Sequence, residues 1–286
     1  MRKSSRNVCI IVSNSRKVTP SPRYSGERVG VRGKEANASA SSLRFRVGFC
    51  PVRQHRIGCG PAALWVLALA GFLAGPSWAA EKAGAAKTLI PADGKQGSLD
   101  GWQSFHEGGA KTADVWTLNA DGVLHCKGLP LGYLFTEKEY GSFILELEYR
   151  WPAGQKPGRG GVLIRTQGQD KIWPKSLEAQ INHPDAGDFW GLGGFALDGP
   201  SERLKTAEHP QFGKLTNLKK TAQAEKPAGQ WNCYKITADG PTVTLEINGQ
   251  VVNRATACDA TPGRILLTSE GNPIEFRNVR LTPITK

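Results

Sequence analysis

Trp231-Asn232-Cys233-Tyr234-Lys235-Ile236, then Val243-Thr244-Leu245-Glu246-Ile247-Asn248-Gly249-Gln250-Val251-Val252-Asn253, and finally Ile274-Glu275-Phe276-Arg277-Asn278-Val279-Arg280 decide the fold class. Each is a short alternation of apolar and polar residues. The Asn248-Gly249 pair between two of them is the strongest short-range signal for a β-hairpin, because both turn positions need positive φ. Upstream, Val115–Leu118, Val123–Cys126, Tyr133–Thr136, Ser142–Arg150, Gly161–Thr166 and Ser176–Asn182 read as further strands, broken by Gly, Pro and Asp. Short strands at such regular intervals predict an all-β sandwich or barrel. Residues 201–222 contain the only helical-looking turns and are expected to form a long surface loop.

Charge divides the chain. Thirteen of its 37 Lys and Arg stand before residue 80, against two of its 25 acids, Glu27 and Glu35. The remainder is nearly neutral, so the formal charge of +12 is no argument for nucleic acid. Residues 1–51 lack a sustained period and read as a disordered or mis-annotated extension. Residues 52–79 read as a secretory signal: Arg53, His55 and Arg56 precede an apolar run from Pro61 to Leu73, and small residues lead to a cleavage site after Ala79. A single-pass anchor is the alternative, and the run is short for a span. The expected product is secreted or periplasmic and free of the membrane after cleavage. Residues 80–88 then form a linker, and 89–286 one domain large enough for a sandwich core. Cys126, Cys233 and Cys258 fall in that domain; their odd number allows at most one disulfide, and no CxxC spacing points to zinc.

Side chains on a strand alternate between faces. Phe143, Leu145, Leu147, Tyr149 and Trp151 make one face, and Ile144, Glu146, Glu148 and Arg150 the other. Val162, Ile164 and Thr166 oppose Gly161, Leu163 and Arg165; Leu177, Ala179 and Ile181 oppose Glu178, Gln180 and Asn182. If the three strands are neighbours, one sheet face gathers Glu146, Glu148, Arg150, Arg165, Glu178 and Gln180. Such a face suits a carbohydrate, which offers many hydroxyls and no charge. For Glu146 and Glu148 the competing reading is a solvated face with cross-strand ion pairs. The loops beside Glu178 carry Trp173 and Trp190, which are either sugar platforms or lids on the core. His183 stands near Asp185 and Asp188, a set able to hold a hard divalent cation, although its spacing proves no site.

Dispersed from residue 89 to 284, the chain resembles the secreted 3-keto-disaccharide hydrolases, described also as 3-keto-glucoside 1,2-lyases and 3-keto-2-hydroxy-glucal hydratases. The matching pieces are Tyr140-Gly141-Ser142-Phe143-Ile144-Leu145 running into Glu148-Tyr149-Arg150-Trp151, Gly161-Val162-Leu163-Ile164-Arg165, Ile172-Trp173-Pro174-Lys175-Ser176-Leu177-Glu178-Ala179-Gln180, Gly229-Gln230-Trp231-Asn232 with Asn248-Gly249, and Ser269-Glu270-Gly271 with Ile274-Glu275-Phe276-Arg277-Asn278-Val279. The resemblance implies a concanavalin A-like jelly-roll sandwich of two antiparallel sheets. Arg159-Gly160-Gly161 departs from the Asn-Ser-Gly common in that family, and Thr268 from its Gln.

The implied substrates are glucosides with a ketone at C3. The ketone acidifies the hydrogen on C2; a base removes it, and the C1 substituent leaves with a proton from an acid. Glu178 or His183 is the candidate base, and Arg165 the candidate stabiliser of the enolate oxygen. Gln180, Trp173, Trp190, Glu148 and Glu270 are candidate substrate contacts. A retaining glycosidase is disfavoured, because Glu178-Ala179-Gln180-Ile181-Asn182 lacks the later acids usual on this fold, and Glu146 and Glu148 are only two residues apart. A noncatalytic, lectin-like carbohydrate-binding domain is the other reading.

Overall fold

The structure is a computed structural model that describes residues 82–90 and 98–285. The expected N-terminal extension and export signal lie outside the described residues. The strands are β1 Lys82–Ala83, β2 Lys87–Thr88, β3 Trp102–His106, β4 Trp116–Leu118, β5 Leu124–Cys126, β6 Gly132–Thr136, β7 Phe143–Arg150, β8 Gly161–Gln167 and β9 Lys175–Gln180. They continue with β10 Phe189–Leu192, β11 Leu204–His209, β12 Gly213–Leu218, β13 Asn232–Asp239, β14 Thr242–Ile247, β15 Gln250–Ala255, β16 Arg264–Ser269 and β17 Ile274–Thr285. Among the described residues, helix is confined to single turns at Glu107–Gly109 and Thr112–Val115.

Two antiparallel sheets form a jelly-roll sandwich. One runs β15-β14-β13-β7-β17-β5-β4, with β1 and β2 also pairing onto β17; the other runs β11-β12-β10-β9-β8-β16-β6-β3. The stretch expected as a linker therefore contributes two short strands. Between the sheets lie the inward residues that alternation picks out: Phe143, Leu145, Leu147 and Tyr149 of β7, Val162 and Ile164 of β8, Leu177 and Ala179 of β9, and Ile236 and Leu245 of the hairpin, all buried. Each such large apolar side chain contributes on the order of 1.5–3 kcal/mol by leaving water. A second buried contact crosses between the sheets: Trp116 Nε1 of β4 donates to Nε2 of His106 at the end of β3, over 3.1 Å. Burial holds the pKa of His106 below its ordinary value, so the imidazole stays a neutral acceptor. Cys126, Cys233 and Cys258 are all free thiols.

Two expectations are corrected. β7 pairs with β13 and β17, not with β8 or β9. Glu146 and Glu148 thus lie on the opposite outer surface of the sandwich from Glu178. Residues 204–218 form a hairpin, β11 against β12 in register from Leu204↔Leu218 to His209↔Gly213, rather than a loop with helical turns. Gly213, at φ 71°, permits the reversal. As the edge of its sheet, β11 leaves Lys205, Thr206, Ala207 and Glu208 exposed, and this weakens the alternation that would have marked it.

The Asn248-Gly249 turn joins β14 to β15 with φ of 52° and 80°. Asn248 also caps neighbouring backbone: its Oδ1 accepts the Cys233 N–H at 2.9 Å, and its Nδ2 donates to the Ala224 carbonyl at 2.7 Å. A Cβ on Gly249 would meet nothing within 4 Å, so its replacement incurs backbone strain alone. In urea unfolding, Asn248→Ala should therefore cost about 2 kcal/mol and Gly249→Ala about 1 kcal/mol. Equal losses would mean that the side-chain bonds of Asn248 add nothing to the turn.

Candidate active site on the open face of the second sheet

The register of the second sheet sets the floor of the site. Across neighbouring strands, Trp190 of β10 stands opposite Glu178 of β9, Glu178 opposite Leu163 of β8, and Leu163 opposite Leu266 of β16. All four belong to the outward face, because Leu177, Ala179, Val162 and Leu267 fill the core. One step along, Gln180 pairs with Gly161, and Thr268 with Tyr133 of β6. The Thr268 hydroxyl accepts the Gly161 N–H at 2.7 Å and donates to the Gly161 carbonyl at 3.2 Å.

Glu178 is 5 % exposed and leans over Gly161. A Cβ at residue 161 would come within 2.7 Å of Glu178 Oε1. Glycine is therefore what leaves space for the carboxyl. Glu270 follows the end of β16 on the same side, beside Thr268 and Tyr133. Burial raises the pKa of Glu178 well above the usual carboxylate range, and the charges of Glu270 and Asp188 push in the same direction. Burial also raises that of Glu270, to about 6, against the opposing pull of the Thr268 hydroxyl and the Arg159 guanidinium. Two carboxyls that cannot both ionise readily are the usual material of acid–base catalysis.

The β8–β9 loop roofs this floor. Trp173, at φ 53°, sets its ring edge-on to Phe212 with centroids 5.3 Å apart, and Phe212 stacks on His209 at 4.5 Å. Asp170 anchors the loop by accepting from the Tyr133 hydroxyl at 3.1 Å and from Arg264 at 2.7 Å. Between Trp173, Ile172, Tyr133, Leu163, Thr268 and Glu270 remains a recess with space for about one water molecule. A pyranose ring fits there only if Ile172 and Trp173 swing off the floor. Trp190 flanks the same surface, and its Nε1 is buried without a hydrogen-bond partner. Both tryptophans thus line the open face rather than lidding the core.

The other expected residues are elsewhere. Arg165 does not meet Glu178 and Gln180 in one pocket. A bulge between Ile164 and Gln167 gives it a φ of 52°, and its wholly buried guanidinium donates to the carbonyls of Gly141 and Asp259, both at 3.0 Å. It holds main chain together instead of facing a ligand. Glu148, on the far sheet, pairs with Arg277 and accepts from Asn278 at 3.2 Å. His183 turns to the end of the sandwich, with Nδ1 3.3 Å from Glu225 Oε2; Glu225 in turn accepts from Tyr149 and Trp151. Asp188 takes the Lys220 N–H at 3.0 Å and lies 2.8 Å from Lys219 Nζ, whereas exposed Asp185 pairs with Lys220 at 3.1 Å. These three are not gathered into a cation site, and among the described residues no cluster of His, Cys, Asp and Glu has metal-binding geometry.

Tyr133, Gly161 and Thr268 complete the site although the sequence reading assigned them no role in it. The available signal was the Gly158-Arg159-Gly160-Gly161 run at the mouth of a strand, a mark of close approach by another group. Gly161→Ala should destabilise the protein by about 1–3 kcal/mol through that overlap. Combined with Glu178→Ala it should cost about 1 kcal/mol less than the sum of the single changes; strict additivity in the double-mutant cycle would show that the two residues do not touch.

Several solved structures align with most of the chain. The "putative glycosyl hydrolase" of Parabacteroides distasonis ATCC 8503 aligns with a TM-score of 0.48 and 18% identity over 70% of this chain and 100% of its own. The carbohydrate-binding module CBM66 from Bacillus subtilis gives 0.45 and 14% over 63% and 94%. The Bacillus licheniformis β-glucanase gives 0.44 and 12% over 68% and 97%. No curated protein matches the chain. The family model of the 3-keto-alpha-glucoside-1,2-lyase-like domain matches residues 86–282, about two thirds of the sequence, and the chain belongs to that family.

Proposed function

We propose that this carbohydrate-active domain is an enzyme that eliminates the C1 substituent of 3-keto-glucosides, after export from the cytoplasm. The observation that supports this best is the carboxyl pair Glu178 and Glu270: Glu270 lines the tryptophan-roofed recess, Glu178 lies on the same sheet face within reach of its charge, and both are shifted toward protonation. One carboxylate takes the proton from C2, and the C–H electrons form the enolate of the C3 ketone. As that enolate collapses, the C1–O1 bond breaks, a C1=C2 double bond forms, and the partner carboxylic acid protonates the departing oxygen. The products are a free alcohol and a 2-hydroxy-3-keto-glucal, and water added in the reverse sense would hydrate the latter. Gln180 and Trp190 flank the floor where they would orient the ring, and Trp173 would join them once it has swung aside.

Glu178→Gln and Glu270→Gln, assayed on a panel of 3-keto-glucosides with and without chelator, test this reading. Each change should lower kcat by roughly a hundredfold to ten-thousandfold and move KM much less. A wild-type protein that binds these sugars without turning them over would be a lectin-like module, and the enzyme reading would fail.

A further inference from the structure

We propose that the β8–β9 loop, residues 168–174, is a hinged lid, and that Asp170 is the latch which holds it closed over the carboxyl floor. Asp170 is thus a positioning residue, outside the groups that would meet substrate. Hinge and latch stand on the geometry of the loop; that a sugar is what enters rests on the function proposed above.

The roots of the loop are fixed. Gln167 and Lys175 form the last cross-strand pair of β8 and β9 at this end. The Pro174 carbonyl accepts the Ser176 hydroxyl at 2.9 Å, and Lys175 Nζ lies 2.9 Å from Asp259 Oδ2. Gly168 opens the span at φ 83°, and a Cβ there would meet nothing within 4 Å, so nothing crowds the backbone at that hinge. From Gly168 to Lys171 every residue is exposed. Asp170 pins this part to the sheet: its Oδ1 accepts from the Tyr133 hydroxyl of β6 and from the Arg264 guanidinium at the start of β16, which is itself steadied by the Phe135 ring 4.4 Å away. Trp173 pins the other part. Its ring meets Phe212, in a turn where His209 Nδ1 accepts the N–H groups of Gln211 and Phe212, both at 3.2 Å.

These fastenings are of a kind that releases. The Asp170 side chain is 36 % exposed, so water can replace its partners as the loop lifts, and the exchange is nearly even. Trp173, at φ 53°, sits in the left-handed region, where a bulky residue is strained, and that strain favours lifting. Outside the loop is open space of about 450 Å³, bounded by Gln167, Gly168, Gln169, Lys171 and Lys175. Beneath the loop the closed recess has space for about one water molecule, and Glu270, which lines it, keeps Oε1 buried without a hydrogen-bond partner. A hydroxyl-bearing ring admitted under the raised lid would supply that partner. Reclosure would then lay Trp173 over the ring and exclude water from the carboxyls.

Fluorine NMR of protein labelled with 5-fluorotryptophan tests the latch without substrate; the Trp173 signal is the one lost in Trp173→Phe. In Asp170→Ala that signal should move toward its solvent-exposed position, with the ratio of open to closed lid raised about tenfold. Asp170→Asn keeps an acceptor oxygen and Tyr133→Phe removes one of the two donors, so each should fall between Asp170→Ala and the wild type. A Trp173 signal that Asp170→Ala leaves unmoved overturns the proposal. Stopped-flow binding of methyl 3-keto-glucoside to Glu178→Gln tests the gate. The observed rate should level off at high sugar, where opening limits entry, and adding Asp170→Ala should raise that plateau about tenfold. A rate that climbs linearly with sugar, and equally with and without Asp170→Ala, overturns the lid as a gate. If the fluorine signal responds as stated but the glucoside neither binds nor reacts, the lid stands and the proposed function fails.

Discussion

The apolar core shared by the inner faces of the two sheets, to which β7 and β9 both contribute, governs the rest of the molecule. Phe143, Leu145, Leu147 and Tyr149 come from one sheet, Leu177 and Ala179 from the other, and all are buried. Once those rows meet, the remaining face of each strand has no freedom. Glu178 must look outward from the second sheet and Glu148 outward from the first, on opposite surfaces of the sandwich. Slipping either strand by one residue would exchange an apolar row for a charged one, so the register is enforced by the core and the position of the carboxyl follows from it.

Alternation within a strand was readable from residues alone, and it correctly separated Leu177, Ala179 and Ile181 from Glu178 and Gln180. It carries no information about which strands are neighbours. Glu148 and Glu178 have similar local patterns, and only long-range pairing sends them to different sheets. Arg165 shows a second limit: a bulge adds a residue against the partner strand and redirects the side chain, and nothing in Gly161-Val162-Leu163-Ile164-Arg165 announces it. His183 shows a third, since its partner Glu225 is distant in sequence and arrives through a separate loop. The hairpin at 204–218 was obscured for another reason: an edge strand needs charged residues to avoid pairing with other molecules, and charge hides its period.

The carboxyl pair is unfavourable in the folded state taken alone. Glu178 is almost fully enclosed, and its neighbours of like charge make ionisation harder still. Such sites persist where the surrounding frame is strong enough to hold them, and here the frame is four hydrogen-bonded strands beneath and a loop anchored by Asp170 above. A surface carboxylate with its ordinary acidity would carry no proton to give near neutrality. Enclosure raises the pKa of Glu178 above that range, and the space over Gly161 makes enclosure possible.

The three unbridged sulfurs have a practical side. Cys126 and Cys258 are buried among apolar groups, whereas Cys233 is exposed on β13, in the sheet that faces away from the recess. Among the described residues it is the one sulfhydryl that solvent can reach. A spectroscopic label attached there would report on the domain from the surface opposite the paired carboxyls, and since no cystine crosslinks the strands, a reductant present during labelling would leave the sandwich assembled.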